Sequence, residues 1–176
     1  MFNKLLPLIT KCSNDDFHEV AKKLEGFISS VPMVGFMDIL AQIGTIPESI
    51  DHDSTEEKIF AKVSDAVLAR AFRELGLKSK VLSERADSAD VIAESSIYGY
   101  TLVADAKAFR MSRTAKNQKD FKVAALSGWR EEAEYAVLCS PYFQYPSTQS
   151  QIYKQALEHN ICLLSWEHLI FCCKIE

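Results

Sequence analysis

Asp105 and Lys107 stand one residue apart in a stretch, 101–109, that reads as a β-strand. Residues i and i+2 of a strand point to the same face, so a carboxylate and an ammonium stand there side by side. The same triplet spacing recurs between Glu56 and Lys58 and between Asp120 and Lys122. Both of those fall in helical contexts, where i and i+2 point nearly opposite ways. Asp90 opens a short β-branched run, 90–94, and a turn through Tyr98, Gly99 and Tyr100 allows a hairpin with 101–109. That hairpin brings a second carboxylate alongside Asp105.

Two carboxylates and a lysine on one surface suit phosphodiester hydrolysis. Carboxylates bind Mg²⁺, a hard cation that prefers oxygen ligands. The backbone carbonyl of Ala106 can be a further ligand, which is why that position needs no polar side chain. Lys107 can orient an attacking water or stabilise developing negative charge. Glu57, in the first turn of its helix, is a possible additional carboxylate. The plain alternative is a surface ion pair on an edge strand, which contributes little.

Charge near this pair points to phosphate. Residues 105–122 carry six cations (Lys107, Arg110, Arg113, Lys116, Lys119 and Lys122) against Asp105 and Asp120, in a chain of net charge −4. A basic loop and helix directly after a metal-binding strand is placed to grip a nucleic-acid backbone. The ordinary alternative is a solvated face. Three residues here have defined base partners: Asn117 for adenine, Lys122 for guanine and Asp120 for cytosine. Helix caps or phosphate contacts are equally good readings of them.

These residues need elements to hold them. Asn14 or Asp15 can cap a helix with apolar positions Phe17, Val20, Leu24, Phe27, Ile28 and Val31, which Pro32 stops. A short helix over 33–43 ends at Gly44. Ser54 and Glu57 form a capping-box pattern before a long helix that Gly76 stops. After the predicted hairpin, Thr114 can cap a helix to about Trp129. Then 135–140 reads as a strand, Ser147 or Thr148 opens a helix through Leu157, 161–165 is a strand, and a last helix begins near Trp166. The order predicts one α/β domain over 1–176, with a mixed central sheet flanked by helices. Residues 1–50 form an N-terminal helical lobe and 54–173 the catalytic core.

Composition excludes several classes. With 48% hydrophobic and 25% charged residues, and only 6 Gly and 5 Pro, the chain is neither disordered nor of low complexity. Neither apolar stretch, 1–8 or 161–175, holds the roughly 18 uninterrupted apolar residues a spanning helix needs. The five cysteines form no CxxC pair and four have apolar neighbours, which reads as reduced, buried thiols in a cytoplasmic protein. Cys162, His168, Cys172 and Cys173 read as core packing rather than zinc ligands. Trp129 and Trp166 read as core or interface residues.

Longer matches carry more than the triplet does. Residues 102–110 (LVADAKAFR) and 112–122 (SRTAKNQKDFK) closely resemble the HindIII-type type II restriction endonucleases. So do 54–58, 90–93, 143–146, 150–152 and 165–169, in the same order over nearly the whole chain. The resemblance implies a PD-(D/E)XK nuclease fold and Mg²⁺-dependent cleavage of both strands of DNA at a palindromic site, AAGCTT for the namesake. It further implies a homodimer and a cognate DNA methyltransferase as functional partner. Carried over by residue, the metal carboxylates fall on Asp90 and Asp105 and the lysine on Lys107. The signature's Pro is replaced by Ala89, and Pro ligates nothing. The family's C-terminal portion has no counterpart here, so the competing expectation is a truncated, non-cleaving DNA-binding remnant. An unrelated structural protein is the third class.

Overall fold

Alternation along the central strands divides the core between two sheet faces. The computed structural model describes residues 1–12, 16–82, 88–112, 118–147 and 149–174. Three helices come first: α1 (Phe2–Cys12), α2 (Phe17–Ser30) and α3 (Met33–Leu40). The short strand β1 (Thr45–Ile46) precedes the long helix α4 (Thr55–Glu74). Strands β2 (Lys78–Val81), β3 (Val91–Ser95), β4 (Tyr100–Ala106) and β5 (Phe109–Arg110) follow. The chain continues through α5 (Gln118–Phe121), α6 (Val123–Trp129), β6 (Tyr135–Ser140), α7 (Gln151–Glu158), β7 (Ile161–Ser165) and α8 (Trp166–Cys172).

The main sheet has the order β2-β3-β4-β6-β7. Its first three strands are antiparallel and β4, β6 and β7 are parallel, the mixed α/β arrangement predicted. β1 and β5 pair separately, in parallel. Ala104, Ala106 and Cys139 pack into a cluster with residues of α1–α4 and α8. Val103, Ala136 and Leu138 belong to the opposite cluster, with residues of α5–α7. The helices within 1–50 therefore share one apolar cluster with α4 and the sheet. No helix among the described residues is long and apolar enough to cross a membrane.

α4 is the central helix of this arrangement, and every residue from 63 to 72 is buried. At its start the Ser54 hydroxyl accepts from the Glu57 N–H at 3.1 Å. The reciprocal half of the predicted capping box is not made: the Glu57 carboxylate accepts from the Asp53 N–H at 2.7 Å instead. At its end Gly76 takes φ +81°, a conformation that disfavours any side chain with a Cβ.

The structure departs from the sequence expectations where tertiary burial overrides local signals. α1 is not predicted, because Pro7 lies inside it. Phe2, Leu5, Ile9 and Cys12 are all buried. At about 1.5–3 kcal/mol for each large apolar side chain, their burial exceeds the roughly 3 kcal/mol that an interior Pro costs. β2 is also missed: it is an edge strand whose Lys78 and Lys80 face outward, so it lacks apolar alternation. The predicted strand 101–109 divides after Ala106. There the Lys107 N–H still donates to the Cys139 carbonyl at 2.8 Å, while the Phe109 N–H donates to Gly44 at 3.0 Å, and the chain turns off to join β1.

The predicted helix to Trp129 also divides, with Lys122 at φ +49° between α5 and α6. Phe121 lies fully buried just before the break and stacks on Tyr145. Helix caps differ as well. Asp16 accepts from the Glu19 N–H at the start of α2, and Asn14, Asp15, Thr114 and Thr148 lie outside the described residues. Cys12 and Cys139 are buried, whereas Cys162 and Cys172 are exposed, so apolar neighbours in sequence overstated thiol burial. His168 is no core residue either: it closes a capping box with Ser165 at the start of α8.

Candidate active site

Hairpin register sets the first two carboxylates. Val91 pairs with Ala104, and one step beyond, the Asp90 N–H donates to the Ala104 carbonyl at 3.1 Å. Asp90 thereby faces Asp105 across the antiparallel pair. Asp105 is 2% exposed. Its Oδ2 lies 2.5 Å from Lys107 Nζ, yet accepts no hydrogen bond of ordinary geometry.

Lys107 is held through its backbone. Besides the N–H bond to Cys139, its carbonyl accepts from Trp166 Nε1 at 2.9 Å. Trp166 is 2% exposed, and the indole is seated against Gly44, where an added Cβ would come within 2.5 Å of the ring. Only glycine leaves room for that approach. The sequence reading gave Trp166 a packing role; the structure adds a hydrogen bond to the residue that bears the site's lysine.

Two further members come from α4. Asp65 is 3% exposed, and the Lys62 ammonium contacts it at 3.1 Å and Asp90 at 3.4 Å. Sequence reasoning missed both. Their one signal is a carboxylate in a mostly apolar helical run, Val63 to Phe72, broken otherwise by Ser64 and Arg70, with a lysine three residues before it.

The charges in this cluster perturb one another. Burial pushes the Asp105 carboxyl up to about 7; Lys107 opposes the rise and Asp90 adds to it. For Asp90, burial also acts upward, but donation from Asp105 and the nearby Lys62 and Lys107 ammonium groups outweigh it, so Asp90 is held below its ordinary value. Asp65 is pushed well above the carboxylate range by burial and by Asp90, with Lys62 offsetting part. Burial acts downward on Lys62, and the charges of Asp65 and Asp90 overcome it. Three carboxyl groups and two ammonium groups thus share a space too dry to ionise all the acids. An arrangement that strains against its own charge is what an added cation would relieve.

Glu57 is placed elsewhere. Its Oε1 accepts from Arg110 Nε at 3.1 Å and Nη2 at 3.0 Å, and Asp65, about two turns on along α4, occupies the place beside Asp90. With His52 and Asp53, Glu57 does form a group whose ligand atoms lie within 4.8 Å of one another. His52 and Asp53 are exposed there and Glu57 is committed to Arg110. Arg110 itself turns inward, 7% exposed. It pairs with Glu57 and Glu48, a correction to its reading as a phosphate contact.

Of the other basic-segment residues, Arg113, Lys116 and Asn117 lie outside the described residues, and Lys119 is described in its backbone alone, within α5. Asp120 is half-buried in α5. Lys122 sits at the break, its ammonium 5.6 Å from the centre of the Trp129 ring.

Comparison with known proteins gives the family of the chain. Residues 2–175 match the family described as HindIII restriction endonuclease. The type II restriction enzyme HindIII of Haemophilus influenzae is 51% identical over 173 residues. That match covers 98% of this chain, and the chain spans 58% of that relative's length. The structure of restriction endonuclease FokI bound to DNA is similar with a TM-score of 0.48 and 13% identity, over 90% of this chain and 29% of that one.

Proposed function

The chain belongs to the HindIII restriction endonuclease family, and from that premise we propose that it is a Mg²⁺-dependent type II restriction endonuclease. In this reading it cuts both strands of DNA at a short palindromic site, AAGCTT-like, as a homodimer. A DNA methyltransferase of the same system protects host DNA. The observation that carries the reading is the buried Asp105 carboxyl, facing Asp90 across the hairpin with its Oδ2 2.5 Å from the Lys107 ammonium. That oxygen-only donor set fits a hard divalent cation.

Asp90, Asp105 and the Ala106 carbonyl would hold Mg²⁺, with Asp65 supporting from α4. When bound, the ion supplies positive charge that lowers the pKa of an attacking water and offsets charge on the leaving oxygen. Lys107 orients that water and stabilises negative charge on the phosphate as it develops. Trp166 and Cys139 fix the Lys107 backbone, so its ammonium does not have to be positioned at the moment of reaction. Burial of Asp105 keeps bulk water from screening these interactions.

Digestion of a sequenced plasmid by the purified protein tests the proposal. Discrete fragments that require Mg²⁺ are expected. Salt-sensitive DNA binding without fragments would instead select the non-cleaving remnant. Lys107→Ala is expected to lower turnover by roughly 10²–10³-fold with DNA affinity retained, since its role is realised in the transition state. Trp166→Phe keeps the ring and removes the N–H, and a loss of roughly 10–100-fold in kcat at unchanged DNA affinity is expected from a displaced Lys107. Unchanged kcat in Trp166→Phe assigns that indole to packing alone.

Arg113, Lys116, Lys119 and Lys122 are proposed to hold the DNA backbone, and Asn117 and Asp120 to read bases. Asn117→Ala should weaken the cognate site by about 1–3 kcal/mol and scrambled DNA little. Arg113→Ala should weaken both and lower the salt slope by about one. Equal losses on both duplexes remove Asn117 from the reading set.

A further inference from the structure

Lys62 has no part in the reaction outlined above, yet it is bound into the same cluster. A contact with Asp65 alone would be an ordinary pairing three residues apart on a helix. The contact with Asp90 spans 28 positions and joins α4 to the mouth of the hairpin. Burial is graded along this chain of charges. The Asp65 side chain is 4% exposed, that of Asp90 25%, and that of Lys62 37%. The ammonium therefore reaches in from the solvent side and rests between two acids.

Charge counting gives the consequence. Even with Asp65, Asp90 and Asp105 all ionised, as a bound cation would favour, Lys62 and Lys107 leave a formal charge of only about −1. A dication reverses that sign, and an ammonium within hydrogen-bonding distance of Asp90 then stands beside a second cation on the same carboxylate. Like charges so close repel strongly in a partly dry site.

We propose that Lys62 is a resident counter-ion: its ammonium bridges Asp65 and Asp90 in the metal-free protein, and a divalent cation enters as that ammonium releases Asp90. This rests on the reading that Asp90 and Asp105 hold the cation. Lys62 thereby lowers the affinity of the site for metal while keeping the empty site folded. Its half-exposed side chain gives it somewhere to go. Removing the ammonium should have opposite effects on the two states: weaker folding without metal, tighter metal binding.

Calorimetric titration of Ca²⁺ into the metal-free, DNA-free chain tests this without reference to cleavage. Lys62→Met is expected to bind Ca²⁺ about tenfold more tightly than the wild type, because a competing cation has gone. Its metal-free melting temperature should be lower, with a larger rise on adding Ca²⁺. Lys62→Arg keeps the charge and should not tighten binding. Equal or weaker Ca²⁺ affinity in Lys62→Met overturns the proposal. Should Lys62→Met fail to fold, Lys62→Gln, polar and nearly as long, is read by the same criteria. Asp105→Asn in the same titration separates the two levels. Ca²⁺ binding that is lost in Asp105→Asn but unaltered in Lys62→Met leaves the site reading standing and removes the role of Lys62. Binding that persists in Asp105→Asn overturns the site reading, and the proposal with it.

Discussion

Asp105→Asn is expected to abolish cleavage while leaving DNA binding intact or tighter, and to make the metal-free protein more stable above neutral pH. The activity loss follows from removing a ligand charge. Metal assistance contributes several kcal/mol, so a fall on the order of 10³-fold or more is expected. Binding survives because the substitution also removes a negative charge that repels phosphate. The stability gain has a different origin. Burial raises the Asp105 carboxyl to about 7 in the folded chain, from an ordinary value of 3.8. The folded state therefore holds a proton that the unfolded state releases. That contribution is full below pH 3.8 and is lost as pH rises through about 7. An amide stays neutral, can donate toward Asp90 as the protonated acid does, and loses nothing over this range.

Melting temperatures of the two proteins in chelator should thus be closest near pH 4 and diverge toward pH 8. The variant should lead there by on the order of 2 kcal/mol. Adding Ca²⁺ should narrow the gap by stabilising the wild type. Full Mg²⁺-dependent cleavage by Asp105→Asn would remove this residue from the active site, and parallel pH curves would remove the account of its burial.

Arg110→Ala is expected to strike the fold rather than the grip on DNA. The guanidinium donates to Glu57 at 3.0 and 3.1 Å and lies 3.8 Å from Glu48. It connects the start of α4 to β5 and to the segment carrying Glu48. The side chain is 8% exposed, so solvent screening gives little relief when one partner goes. Breaking such a pair leaves the half-buried Glu57, 20% exposed, without its cation, which costs about 3 kcal/mol, the low end for a buried pair. For a chain of this size that lowers Tm by on the order of 10 °C. Where the variant is folded, its DNA affinity should fall with salt as steeply as that of the wild type. A salt slope reduced by about one at unchanged Tm would return Arg110 to the phosphate contacts.

Arg110 also shows where reading a basic segment by its charge fails. A run of cations reports composition, and only the path of the backbone reports direction. The chain leaves the main sheet after Ala106 and pairs Thr45 with Phe109, and that excursion turns Arg110 under the surface. Nothing local to 105–122 encodes the partner strand, since Thr45 is more than sixty residues away.

Local geometry, by contrast, was fully legible. Asp105 and Lys107 stand together because a strand repeats every two residues. Asp90 stands opposite because Gly99, at φ +66°, closes the turn of a hairpin whose register pairs Ser95 with Tyr100 and Val91 with Ala104. The Ser54 cap, the Gly76 stop and the strands 135–140 and 161–165 rest on the same short-range rules. Asp65 and Lys62 belong to the other kind. On the helix alone they are an i, i+3 ion pair on an apolar run, with nothing to mark them as neighbours of Asp90. They join the site because α4 packs its buried length across β2, β3 and β4. Pro7 within α1, and the division of α5 from α6 at Lys122, likewise follow from burial of Phe2, Leu5, Ile9 and Phe121. The sequence by itself determined the strand pair, its hairpin partner and the mixed α/β class, because those depend on periods of two and of 3.6 residues. Which helix closes over the carboxylates, and which cations face inward, was decided by the tertiary structure, because burial of apolar surface is non-directional and sums over the whole core.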